Sequence, residues 1–145
     1  QRPWPGADTH PIARLTAKDG KVDLVVLSGT SGRTLAFGPG HMDGTVPPGK
    51  FGNVVLSGHR DTHFDFLKHL NLGDQISLET RSGSTKWYEV INTEVVHQND
   101  IQVALDAGDD RLTLITCYPF DAVVPGGPMR YAVVARALLP KSLNI

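Results

Sequence analysis

Apolar residues recur along this chain in short runs that are separated by turn-forming residues. Gln75–Thr80 and Arg111–Thr116 alternate apolar and polar positions, which is the period of a half-buried β-strand. Asn53–Ser57 is a compact apolar run of the kind found in buried strands. The whole pattern predicts eight short strands: Ile12–Ala17, Val22–Leu27, Thr34–Phe37, Asn53–Ser57, Gln75–Thr80, Lys86–His97, Arg111–Thr116 and Tyr131–Leu138.

Helical periodicity is confined to one segment. Phe64, Leu67 and Leu70 form a stripe at a spacing of three residues, which predicts a short helix over His63–Leu70 that Gly73 and Asp74 terminate. Eight short strands with one or two short helices are typical of an all-β protein, and we expect a closed or nearly closed β-barrel.

Composition fits one globular domain of 145 residues, with 40% hydrophobic and 20% charged residues. The net charge of −1 argues against nucleic acid as the main partner, because phosphate binding requires a basic surface. The 15 glycines and 10 prolines agree with many turns between strands. The sequence has no run of eighteen apolar residues that would span a membrane.

Two apparent ligand motifs do not withstand inspection. The segment 44–50 matches the GxxxxGK pattern, but Pro47 and Pro48 lack the N–H groups that cradle a phosphate. His59 and His63 have the spacing of a chelating pair on a helix, yet zinc sites usually need three or four ligands. We therefore expect no bound nucleotide, no cofactor and no required metal, calcium included.

The single cysteine, Cys117, lies at the end of a predicted strand that Pro119 cannot continue. It is either an inert core residue or a nucleophile, and its position alone does not decide between them. A nucleophilic cysteine needs a proton partner and a group that stabilises an oxyanion. His59 follows the strand at 53–57, and Arg130 opens the last strand, so the three side chains can converge at one mouth of the barrel.

These residues carry a resemblance to the sortases, the cysteine transpeptidases of bacterial surfaces. The sequence TLITC at 113–117 matches the TLxTC motif of that family, and GHRDT at 58–62 matches a segment of its class D-like branch. The order of His59, Cys117 and Arg130 is the sortase order. The resemblance extends over 12–137, and the segments 35–41 and 60–64 look most like the single sortases of Gram-negative proteobacteria.

The resemblance implies a sortase-type barrel of about eight strands and a set of roles. Cys117 attacks the carbonyl of a threonine in a C-terminal sorting signal and forms a thioacyl enzyme. His59 protonates the leaving amine and later deprotonates the incoming one. Arg130 stabilises the oxyanion, and Thr116 assists through its hydroxyl or backbone.

The implied substrate is a surface protein with an LPxTG-like or LPxTA-like signal, and the implied acceptor is an amine. One wall of the groove for this signal is expected at 99–105 and the other at 123–125, although plain core packing explains these residues equally well. The expected groove residues are Ile101, Val103, Ala104, Leu105, Val123 and Val124.

The resemblance also implies a place in the cell and a domain plan. Sortases work outside the cytoplasm, where an unused free thiol would be a hazard. We expect attachment to the bacterial envelope through an N-terminal anchor that precedes Gln1, on the periplasmic face of the inner membrane if the source is Gram-negative. The catalytic domain is predicted at 12–140, between an extension at 1–11 and a tail at 141–145.

Two other classes of protein remain open. One is another cysteine hydrolase or a peptidoglycan L,D-transpeptidase, although the Ser-x-Gly-Cys element usual in those transpeptidases is absent before Cys117. The other is a non-catalytic β-barrel binding module with a buried cysteine.

Overall fold

A computed structural model describes residues 9–101, 108–122 and 126–139. Eight strands in these ranges close into a barrel in the order β1-β2-β3-β4-β7-β8-β6-β5. This confirms the predicted all-β barrel. The strands are β1 (Pro11–Ala17), β2 (Val22–Ser28), β3 (Gly40–His41), β4 (Asn53–Ser57), β5 (Gln75–Thr80), β6 (Thr85–His97), β7 (Arg111–Tyr118) and β8 (Met129–Ala137).

The helical elements whose bounds lie within the described ranges are short. They are the α-helical turn α1 (Gly32–Leu35) and three 3-10 turns, Lys18–Gly20, Asp65–His69 and Gln98–Asp100. The helix predicted at 63–70 is thus the 3-10 turn at 65–69. None of the described helices is long and apolar enough to cross a membrane.

The strand predicted over Thr34–Phe37 is wrong, because this segment overlaps α1. The side chain of Ser31 accepts a hydrogen bond from the Thr34 backbone N–H at 3.2 Å, so Ser31 caps a helical turn. The eighth strand of the barrel is instead the two-residue β3, which is too short to produce a hydrophobic pattern.

Strand alternation separates the interior of the barrel from its outer surface. Leu112 and Leu114 of β7 are fully buried in the main core, as are Val133 and Ala135 of β8. Intervening residues of the same strands face outward. Because β4 pairs in parallel with β7, and β7 pairs antiparallel with β8, these three strands form one continuous surface.

A second, smaller apolar cluster covers this surface outside the barrel. It consists of Val55 on β4, Ile115 on β7 and Ala132 on β8, each at most 4% exposed, with Met42 and Ile101 packed against them. Since side chains two residues apart in a strand share a face, Cys117 and Arg130 continue the rows that hold Ile115 and Ala132.

Candidate active site

Cys117 is the second-last residue of β7. It is half-buried, and its thiol forms no disulfide. Its register partner across the β7–β8 ladder is Arg130. Directly opposite residues of an antiparallel pair point to the same face with Cβ atoms about 4.5–5.5 Å apart. The thiol and the guanidinium-bearing side chain therefore start from adjacent points of one surface.

Three hydrogen bonds hold the guanidinium of Arg130. Nη1 donates to the carbonyl oxygens of Gly127 at 2.7 Å and Met129 at 2.8 Å, and Nη2 donates to Oε1 of Gln98 at 3.0 Å. A guanidinium has five N–H donors, so two of them have no partner within the described ranges. N–H donors that are free in the described ranges, on a side chain that starts opposite Cys117, can bind an oxygen that gains negative charge.

The 3-10 turn after β6 supplies this support. Gln98 also donates its backbone N–H to the carbonyl of Pro128 at 2.7 Å, and the ring Nδ1 of His97 accepts from the backbone N–H of Asn99 at 3.0 Å. Gln98 thus bonds Pro128 through its backbone and Arg130 through its side chain. Sequence reasoning missed Gln98, since nothing local to 98 indicates a partner at 130.

His59 is exposed and follows β4 by two residues. Gly58 extends the parallel pairing by donating its backbone N–H to the carbonyl of Ile115 at 3.2 Å. The carbonyl of His59 accepts from the backbone N–H groups of Thr62 and Phe64 at 3.3 and 3.0 Å, which turns the chain sharply after it. Parallel strands end at the same edge, so His59 leaves β4 at the edge where Cys117 leaves β7.

Gly58 is required by close packing. A Cβ atom added there would lie 2.7 Å from the ring of Phe64, which is itself fully buried. The group that occupies the space next to Gly58 is thus the Phe64 ring. Phe64 in turn joins the main core, so the segment that carries His59 is anchored to the barrel interior.

Thr116 is 2% exposed, and its hydroxyl donates to the carbonyl of Gly58 at 2.8 Å. Its side chain therefore contacts the histidine segment rather than the protein surface. The structure brings Cys117, Arg130 and the His59 segment together at one end of three adjacent strands, with Thr116 linking two of them.

The profile of the family described as "Sortase domain" matches residues 15–138. The chain belongs to the sortase family. Members of this family are cysteine transpeptidases, and the site described above contains the three side-chain types of their chemistry.

Sortase D of Bacillus subtilis is 36% identical over 115 residues, which are 79% of this chain and 57% of that protein. The chain thus spans little more than half the length of this curated relative. Among solved structures, sortase A from Corynebacterium diphtheriae is 31% identical with a TM-score of 0.79, over 97% of this chain and 67% of that one. A Clostridium perfringens sortase D5 transpeptidase is 27% identical with a TM-score of 0.75, over 88% and 79%.

One of the groove residues predicted for this sortase is described. Ile101 is half-buried and packs against the outer apolar cluster of Val55, Ile115 and Ala132. Its role as a groove wall stays a prediction. The remaining predicted wall residues lie outside the described residues: Val103, Ala104, Leu105, Val123 and Val124.

His63 has a pKa below its ordinary value of 6.5, first because it is partly buried and second because of the nearby charge of His59. The shift favours the neutral ring at His63. In the part of this sortase that the structure describes, no three His, Cys, Asp or Glu side chains form a group that could hold a metal ion.

Arg60, between His59 and Asp61, is a second residue that sequence reasoning missed. It is 7% exposed, and its guanidinium donates to the carbonyls of Pro119 at 3.0 Å and Ala122 at 3.4 Å. In the sequence it is one residue of the GHRDT segment, with no pattern that indicates burial. Arginine is almost never buried without partners, and the partners of Arg60 are these two carbonyls of the turn that follows Cys117.

Proposed function

We propose that this protein is a cysteine transpeptidase that cleaves a C-terminal sorting signal after threonine and transfers the product to an amine. The observation that carries the proposal is the register pairing of Cys117 with Arg130 beside the strand that leads to His59. Membership of the sortase family gives the same reaction class.

In the first half-reaction, Sγ of Cys117 attacks the threonine carbonyl carbon, its thiol proton passes to His59, and a C–S bond forms. The carbonyl oxygen becomes an oxyanion, which the two unpartnered N–H donors of Arg130 bind. The C–N bond then breaks, and the leaving amine takes a proton from His59. Directed donors of this kind stabilise charge where it develops in the transition state.

In the second half-reaction, an incoming amine attacks the thioester carbonyl and gives a proton to His59. The new C–N bond forms, the C–S bond breaks, and the leaving sulfur takes the proton back from His59, which regenerates the Cys117 thiol. One imidazole serves both proton transfers, since its ordinary pKa is close to neutral pH.

The proposed signal is LPxTG-like or LPxTA-like. Met42 and Ile101, which are only partly buried and pack against the outer cluster of Val55, Ile115 and Ala132, offer apolar surface for its leucine and proline. This cluster lies in the same strand rows as Cys117 and Arg130, so an extended peptide across it brings its threonine toward the thiol. We place this activity outside the cytoplasm at the cell envelope, where an unused free thiol would be a hazard and the single cysteine therefore has a use.

The test is incubation with LPxTG and LPxTA peptides and an amine nucleophile, followed by mass spectrometry. The expected result is amine-exchanged peptide, with an acyl adduct on Cys117 in the absence of amine. The matched control is Cys117→Ala, which removes the nucleophile. Equal behaviour of the two proteins across a panel of signals would overturn the proposal, and release of free acid with no exchange at saturating amine would indicate a hydrolase instead.

A further inference from the structure

The side chain of Arg60 connects the histidine segment to the turn that follows the catalytic cysteine. Nη1 reaches the carbonyl of Pro119 at 3.0 Å, and Nη2 reaches the carbonyl of Ala122 at 3.4 Å. These two residues also bond each other, because the backbone N–H of Ala122 donates to the carbonyl of Pro119 at 3.3 Å. One guanidinium therefore binds both ends of a tight turn that begins two residues after Cys117.

Burial of the charged Arg60 side chain carries a free-energy cost that other contacts must offset. Removing a cation from water is unfavourable unless partners compensate. The described acidic neighbour of Arg60 is Asp61, whose carboxylate is 3.6 Å from Nε and whose side chain is 76% exposed, which makes it a weak compensation. The two carbonyls are the main partners, and a planar fork suits two acceptors at fixed spacing better than an ammonium does.

Arg60 acts together with a second contact on the other side of His59. The carbonyl of Gly58 accepts the buried hydroxyl of Thr116 at 2.8 Å. Residues on both sides of His59 are thus bonded to the segment on both sides of Cys117. No described hydrogen bond joins the His59 ring to another side chain, so these two tethers, with the backbone pairing at Gly58, set where the ring lies.

We propose that Arg60 is a positioning residue that holds His59 in register with Cys117, an inference that rests on the transpeptidase function proposed above. The Arg60 fork fixes the backbone between the two segments, and the imidazole is presented to the thiol as a result. Displacement of a reacting group by about 1 Å costs up to about 100-fold in rate. Loss of the fork should therefore lower kcat more than it raises KM.

The experiment compares wild type, Arg60→Lys and a matched control, Arg14→Lys. Arg14 also bonds its partner Asp23 through two nitrogens, but it lies on β1, away from the site. Arg60→Lys keeps the charge and loses the fork. We expect it to fold with a circular dichroism spectrum like that of wild type, a kcat lowered at least about tenfold and a KM within about twofold. Arg14→Lys should keep wild-type kinetics.

A second readout does not depend on any sorting signal. The rate at which iodoacetamide alkylates Cys117 is measured against pH for wild type, Arg60→Lys and His59→Ala. If Arg60 positions His59, the profile of Arg60→Lys moves from that of wild type toward that of His59→Ala. This result supports the inference even if no peptide is turned over, an outcome that would count against the proposed function alone.

Three outcomes would overturn the inference. An Arg60→Lys profile that coincides with wild type shows that the fork does not control the histidine. Coinciding profiles of wild type and His59→Ala show that His59 does not affect the reactivity of Cys117, so there is no interaction for Arg60 to maintain. An Arg60→Lys protein that has lost its fold shows that Arg60 is a structural residue.

Discussion

Cys117 and Arg130 face each other directly across the antiparallel ladder of β7 and β8. A cross-strand pair fixes two side chains on one face with little freedom, because both backbones are hydrogen-bonded. The barrel therefore supplies the thiol of Cys117 and its charged neighbour as one unit. The geometry of the site then depends on how Arg130 is held and on how the separate histidine segment is attached.

Arg130→Lys should lower kcat/KM about 100-fold, the usual effect of losing one directed oxyanion donor. Lysine keeps the charge but cannot bond Gly127, Met129 and Gln98 while leaving two donors free. Steady-state kinetics on a sorting-signal peptide measure this, with the unfolding temperature expected to change little. The matched control is Arg136→Lys, on the same strand and exposed. Equal losses in both variants would contradict a role for the Arg130 fork.

Gly58→Ala should destabilise the fold by about 1–3 kcal/mol, the usual range for overpacking a core. The new Cβ would lie 2.7 Å from the ring of Phe64, and this ring is fully buried in the core. Denaturant unfolding measures the effect. Gly32→Ala is the control, since a Cβ there meets no atom within 4 Å. A Gly58→Ala protein as stable as wild type would show that the ring can move aside.

Much of the barrel and the family of the chain could be predicted because they depend on local patterns. Alternation along β5 and β7 marks which residues face inward, and Pro119 limits how far β7 can extend. TLITC and GHRDT are contiguous motifs, so a single sequence is enough to recognise them.

The supporting contacts could not be predicted, because they join residues far apart in sequence. Gln98 meets Arg130 across 32 positions, and Arg60 meets Pro119 across 59. Neither contact produces a periodic pattern in the sequence, and arginines are mostly exposed in proteins. The prediction of a strand at Thr34–Phe37 is wrong for a related reason. A single capping side chain, Ser31, stabilises a helical turn there and outweighs the strand propensity of four residues.

His63 should make folding stability dependent on pH below neutrality. Its pKa in the folded state is below 6.5 through burial and the charge of His59, whereas the unfolded chain has the ordinary value. The unfolded state therefore binds the proton first as pH falls through 6.5, and the folded state loses relative stability over that range. His63→Gln should show a smaller loss between pH 7 and pH 5, measured by denaturant midpoints at each pH. His69→Gln, an exposed histidine, is the control, and a parallel pH dependence of wild type and His63→Gln would contradict the assignment.

Tyr88→Phe should leave stability unchanged or raise it by up to about 1 kcal/mol. The side chain is fully buried, and its hydroxyl has no hydrogen-bond partner within the ranges that the structure describes. Removing an unsatisfied buried hydroxyl removes a desolvation cost and keeps the ring, including its contact with the Lys86 ammonium 5.8 Å from the ring centre. Thermal unfolding measures the change.

The matched control for Tyr88→Phe is Thr113→Val, which deletes a buried hydroxyl that does have a partner, Oδ1 of Asn53 at 2.9 Å. That variant should lose about 1–3 kcal/mol, because it removes a hydrogen bond to a buried acceptor. Burial also raises the pKa of Tyr88, so above its ordinary value of 10.0 the unfolded chain ionises first and wild type loses stability as pH rises. Tyr88→Phe should not show this component of the loss. A destabilisation by Tyr88→Phe as large as that of Thr113→Val would mean that the Tyr88 hydroxyl donates to a residue outside the described ranges.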